Sequence, residues 1–167
     1  MRNFIAGAVA AVVVLAVITF GYLGSGLLQV GADSKPPAWQ TGLMYSGVHA
    51  SVRREAPEMQ NPLPATDETT IAGGKLYVND CIGCHGTPGG SPSKFGTAFY
   101  PEAPQFPFIG TQYSEAQLFW IATHGIRRTG MVPQGYSDTD SWRLTAFIAR
   151  AKSLSPGVLQ AISAPSK

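Results

Sequence analysis

Cys81-Ile82-Gly83-Cys84-His85 holds both cysteines of the chain and one of its three histidines. On a helical turn, two thiols three positions apart can each bond one of the two vinyl groups of a single haem. The adjacent imidazole then faces the iron from the same turn. C-x-x-C-H is the attachment signal for a c-type haem. The expectation is one haem c, bound covalently through Cys81 and Cys84, with His85 on the iron. Other uses of the two cysteines fit less well. A redox C-x-x-C pair belongs in a βαβ context, and here a helical pattern precedes it. A zinc site needs four ligands, and only His49, His85 and His124 could join the cysteines, with no second knuckle. Two cysteines cannot build a disulfide framework. A chance occurrence is opposed by the exported location and the aromatic loop described below.

Working outward, Asp67 to Asp80 reads as a helix. Asp67 is the N-cap candidate, Glu68 suits the positive end of the helix dipole, and Ile71, Gly74, Tyr77 or Val78, and Cys81 fall at helical spacing. Gly73 and Gly74 are costly inside a helix, which close approach of another helix would offset. On the other side of the motif, Gly86 to Gln112 carries five prolines, five glycines and five Phe or Tyr residues. A structureless loop of this length is uncommon unless it is functional or disordered. Phe95, Phe99, Tyr100, Phe106 and Phe108 argue against disorder and need an apolar partner. Ser114 and Gln117 form a capping box, with Tyr113 and Leu118 as its hydrophobic staple. Leu118, Ile121 and Ala122 make the apolar face of that helix, and Gly125 stops it. Ser137 opens another helix, whose Leu144, Phe147, Ile148 and Ala151 repeat as a buried face. Ser155-Pro156 begins a short tail helix. No strand and no internal repeat stands out, so the expected fold class is all-α.

A sixth iron ligand is sought next. Met131 lies 46 residues after His85, in Thr129-Gly130-Met131-Val132-Pro133, and is the one methionine outside the anchor and linker. Flanking Gly and Pro turn the chain so that the thioether can point inward. Methionine is also an ordinary core filler. His124 is the rival ligand, although histidine also suits the last carbonyls of a helix. His49 is expected at the surface.

No charged side chain occurs between Arg2 and Asp33, and Phe4 to Leu23 is a continuous apolar run. As a helix that run spans roughly 30 Å, the thickness of a bilayer's hydrocarbon core. The competing reading is a secretory signal cut after Val30-Gly31-Ala32. The expected organisation is a transmembrane anchor over 1–32, a proline-rich linker over 33–66, a haem domain over 67–155 and a tail over 156–167. Extended, the linker would reach about 110 Å. Gly47 to Glu55 is a short-helix candidate within it, and Trp39, Met44, Tyr45 and Val48 would pack on the domain or lie at the membrane interface. A net charge of +2 leaves no basic field for nucleic acid.

From about Asp67 to Ser155 the chain resembles the class I cytochromes c, in particular the single-haem type found as oxidase third subunits and dehydrogenase electron acceptors. Gly73 and Tyr77 precede Cys81 at the spacing of that family's first helix. Leu144 and Phe147 match its closing helix, which crosses the first at the glycine. Phe119-Trp120-Ile121-Ala122-Thr123-His124-Gly125-Ile126-Arg127-Arg128-Thr129-Gly130-Met131 is similar to the family's run into its axial methionine. The sequence departs from the pattern at Val132, which precedes Pro133 where the family has proline directly after the methionine.

The resemblance implies an all-α class I cytochrome c-like haem domain behind one N-terminal transmembrane helix. It implies His85 and Met131 as the iron ligands. A proline carbonyl would fix the His85 ring, with Pro104 as the best match and Pro101 next. Phe95, Phe99, Phe106, Phe108, Trp120 and Ile126 would wall the haem. Arg127 or Arg128 would pair with a propionate, and Trp120 or Tyr113 could donate to one. Two protein ligands leave no place for a substrate, so the implied role is one-electron transfer between redox protein partners. The carrier would be free or part of a respiratory complex, and anchored in a bacterial inner membrane with its haem domain in the periplasm. The alternative is a haem enzyme or gas sensor with a labile sixth ligand, toward which only Val132 leans.

Overall fold

The structure is a computed structural model that describes residues 1–28, 30–31 and 34–164. It divides into two compact units, Met1–Lys35 and the chain from Pro36 onward. The first contains α1 (Arg2–Gly24), with no residue buried and a mean hydropathy of 2.6 over its most apolar window. By length and composition α1 can cross a membrane. Ala32 and Asp33, where a signal cleavage would fall, lie outside the described residues.

The regular structure of the second unit is all helical, with no strand among the described residues. Its frame is α3 (Asp67–Asp80) crossed by α8 (Asp138–Arg150). The N-cap of α3 is Thr66, whose hydroxyl accepts from the Thr69 amide, and not Asp67. Asp67 instead occupies the first turn, where its carboxylate pairs with Arg150 at 2.9 Å. The helices cross at Gly73. A Cβ there would stand 1.9 Å from the Arg143 carbonyl oxygen, so only glycine permits the approach. Tyr77 and Phe147, each 0% exposed, meet at the centre with ring centroids 4.9 Å apart.

α7 (Glu115–His124) begins with the expected capping box, the Ser114 hydroxyl accepting from Gln117 and the Gln117 side chain from Ser114. It packs on α8, where Phe119 stacks on Trp142 at 4.3 Å. The residues after Ser155 are more than a tail. α9 (Pro156–Ser163) buries Val158 and Ile162 against α3, with Ile162 lying over Gly74.

The stretch expected as a linker differs in its middle. α2 (Ala38–Glu55) is a full helix that begins well before Gly47 and packs against α7. Thr41, Tyr45, Val48 and Val52 recur on one face, and Val52 is 1% exposed. Thr41 bonds the Tyr100 hydroxyl at 3.0 Å, and the Tyr45 hydroxyl reaches the Glu102 carbonyl at 3.4 Å. His49 is not a free surface residue, because its ring stacks on Tyr113 at 4.8 Å. Beyond α2, the Asn61 amide bonds both the Glu115 carboxylate and the Trp142 carbonyl. Trp39 and Met44 remain exposed. Replacing Val52 by Ala is expected to cost about 1–3 kcal/mol, seen as a lower urea midpoint in detergent. An unchanged midpoint would mean that α2 is not part of this core.

Candidate functional site

Cys81 joins α3 to the single turn α4 (Ile82–His85), so both cysteines and His85 share one local fold. Neither cysteine forms a disulfide. The carbonyls of this turn are held by side chains from elsewhere. The Tyr77 hydroxyl lies 3.0 Å from the carbonyls of both His85 and Gly86. The Gln105 amide donates to the Cys84 and Ala103 carbonyls, each at 2.8 Å, and its oxygen accepts from the Ser93 amide at 2.7 Å. The Ser93 hydroxyl donates to the Gly83 carbonyl. The backbone at Gly96, in α5 (Lys94–Thr97), comes so close that a Cβ would lie 1.7 Å from the Cys84 oxygen. Carbonyls at 83 through 86 are therefore each fixed by a hydrogen bond, which orients the turn as a rigid unit.

Two contacts orient the His85 ring. Its Nδ1–H donates to the Pro104 carbonyl at 2.8 Å. Because a carbonyl only accepts, the ring proton sits on Nδ1, and Nε2 presents its lone pair. Phe106, the first residue of α6 (Phe106–Ile109), stacks on the ring at 4.8 Å. Burial lowers the His85 pKa, while the Pro104 carbonyl acts in the opposite sense. The ring is thus favoured in the neutral form that a metal requires. Burial, with Asp80 and Cys84 adding to it, pushes the Cys81 thiol up to about 12.

Met131 belongs to a second group of residues, folded on itself after α7. Gly125 ends the helix at φ +66°, where a Cβ would stand 2.6 Å from the Met131 carbonyl oxygen. The Ile126 amide donates to that carbonyl at 2.8 Å. The Thr129 hydroxyl donates to the Ile126 carbonyl at 2.7 Å and accepts from the Met131 amide at 3.0 Å. Ile126, Arg127 and Met131 border a shallow depression of about 310 Å³ together with His124 and Val132. Phe99 links this group to the aromatic loop, since its ring lies 3.2 Å from where a Gly130 Cβ would stand and meets Phe95 edge-on.

The structure thus brings Cys84, His85, Pro104 and Phe106 together, and separately groups Met131, Ile126 and Arg127. Pro104, not Pro101, makes the contact with His85. Trp120 is engaged with His124, on which it stacks at 4.8 Å. The His124 Nδ1–H donates to the Trp120 carbonyl at 3.0 Å, as a helix-end histidine does. Arg127 and Arg128 are exposed and make no ion pair among the described residues. The roles of Gln105 and Ser93 are not legible in the sequence. A glutamine beside a proline is the one local signal, and it does not identify a partner twenty-one residues away.

Helices crossing at a glycine, a C-x-x-C-H turn and a proline carbonyl on the histidine together define a class I c-type cytochrome domain. Residues 68–148, just under half of the chain, match the family model for cytochrome C oxidase, cbb3-type, subunit III. No curated protein and no solved structure matches the chain. The domain class implies haem c and haem-based electron transfer. The donor set fits that group, because two free thiols and one neutral imidazole with its Nε2 unengaged stand on a single fixed turn.

Proposed function

We propose that this chain is a membrane-anchored mono-haem cytochrome c that passes single electrons between redox protein partners. The haem would be held through Cys81 and Cys84, with His85 and Met131 as the axial ligands. Bound there, it supplies a reversible one-electron centre whose potential is raised by methionine–histidine ligation. The observation that carries this reading is the His85 ring, clamped between the Pro104 carbonyl and Phe106 with Nε2 left to the iron. The self-folded 126–131 loop supports Met131 as the second ligand, because its hydrogen bonds fix the backbone and leave the thioether free.

With both axial positions filled from the protein, no small-molecule substrate reaches the iron. Phe95, Phe99, Phe106 and Ile126 would exclude water, which disfavours the charged ferric state and raises the potential further. Arg127 is a candidate for a propionate contact. α1 would sit in a bacterial inner membrane with the haem domain on the periplasmic side, consistent with haem attachment outside the cytoplasm. Partners would include a neighbouring respiratory complex, a role suggested by the oxidase family whose model the domain matches.

Absorption spectra of the protein from a cytochrome-maturing host test the proposal. A c-type spectrum with the far-red sulfur-to-iron band, unchanged by carbon monoxide, is the expected result. Loss of that band together with carbon monoxide binding would instead indicate an open iron and a haem enzyme or sensor.

A further inference from the structure

We propose that Tyr136 and Asp80 form a clasp that holds the Met131 loop to the haem-bearing turn, so that Tyr136 is a positioning residue for the axial thioether. This rests on Met131 being the sixth ligand. The loop folds on itself, but internal bonds do not place it relative to His85. Among the described residues, one hydrogen bond connects segment 126–136 to α3 or α4, from the Tyr136 hydroxyl to Asp80 Oδ2. The Gln134 amide bonds the Ala122 carbonyl and so ties the loop only to α7, the helix it leaves. Val132, Pro133 and Gly135 are exposed, and Gly135 turns at φ +69° with nothing packed where a Cβ would stand. Without the clasp, no hydrogen bond among the described residues would hold this stretch to α3 or α4, leaving the packing of the Tyr136 ring on the core.

The two ends of the clasp suit this task. Asp80 is the last residue of α3 and directly precedes Cys81, so its backbone moves with the haem attachment. Tyr136 and Cys81 both pack against the main hydrophobic core, which holds the phenol ring while its hydroxyl reaches the carboxylate. Asp80 has no ion pair among the described residues. Burial, followed by the bond to Asp80, raises the Tyr136 pKa and keeps the hydroxyl a donor.

The test uses the full-length haem-loaded chain and compares wild type with Tyr136→Phe, Asp80→Ala and the double variant. The readouts are the far-red sulfur band and carbon monoxide association to the reduced protein. A hydrogen bond to a charged acceptor is worth enough that either single variant should raise the thioether-off fraction, and hence the carbon monoxide rate, about tenfold or more. The double variant should add little beyond either single change, because both remove one interaction. A Tyr136→Phe protein with a lower unfolding midpoint but wild-type band and gas rate would overturn the clasp, leaving only a packing role. The clasp is overturned equally if Asp80→Ala alone leaves both readouts unchanged. A wild-type protein without the sulfur band would instead overturn Met131 ligation, and the clasp with it.

Discussion

In a Met131→Ala variant, the far-red sulfur-to-iron band is expected to vanish, the reduced protein to bind carbon monoxide, and the potential to fall by on the order of 0.1 V or more. A thioether is a soft, neutral ligand that favours ferrous iron. Water or hydroxide in its place favours ferric iron, and axial-ligand identity shifts haem potentials across about 0.8 V. The substitution is informative because it leaves the loop's framework intact. The Met131 amide bonds Thr129 and its carbonyl bonds Ile126, and neither contact uses the side chain. Met131→His provides the complement, with a lowered potential but an iron still closed to carbon monoxide. A Met131→Ala protein that keeps its potential and refuses the gas would remove this residue from the iron.

Gly73→Ala is expected to destabilise the haem domain by about 3 kcal/mol or more and to cut the yield of haem-loaded protein sharply. The new Cβ would meet the Arg143 carbonyl oxygen at 1.9 Å and the Arg143 carbonyl carbon at 2.4 Å. These are backbone atoms in the middle of α8, so relief requires moving the helix rather than rotating a side chain. Ordinary overpacking costs about 1–3 kcal/mol, and a rigid helix contact belongs at or above that upper end. Against a typical domain stability of about 5–15 kcal/mol, the loss is large. Gly47→Ala is the matched control. It lies inside α2 with nothing within 4 Å of a new Cβ, and it should stabilise by about 0.5–1 kcal/mol through helix propensity alone. Equal unfolding midpoints for the two variants would mean that α3 and α8 do not cross at Gly73.

What could be read from the sequence was what the chain decides locally. The C-x-x-C-H turn, the Ser114–Gln117 capping box and the Ser137 and Ser155 caps each lie within a few residues, and all four form as read. The buried face of Leu144, Phe147 and Ile148 was visible for the same reason. The cap of α3 lies one residue before the expected Asp67, because Thr66 and Asp67 are both good caps and the backbone extends at Thr66. Local physics does not decide which carbonyl meets His85, because Pro101 and Pro104 both lie close enough in the chain to serve and only the folded loop selects Pro104. α2 was obscured by its surroundings. Prolines flank it on both sides, and its face of Thr41, Tyr45, Val48 and Val52 mixes polar with apolar residues, two of which meet their partners through hydroxyls. The network through Gln105 and the bond from Tyr136 to Asp80 join residues far apart in the chain, so no local pattern announces them.

The docked α2 alters the kinetics expected of a tethered carrier. A linker of 34 residues would let the haem domain search widely around its anchor point. With α2 folded onto that domain, only 13 residues separate Gly24 from Ala38, a contour of about 45 Å. Counted from the same end of α1, 42 residues precede Asp67 and 13 precede Ala38. With α1 seated in a bilayer, the shorter connection would therefore raise the local concentration of haem at the membrane surface about sixfold, by the three-halves power of length. Its contour would also set an upper bound on reach, beyond which no partner could be served however tightly it bound. For the carrier proposed above, electron delivery over such a connection would be a first-order exchange with resident neighbours, its rate independent of how much carrier the cell makes.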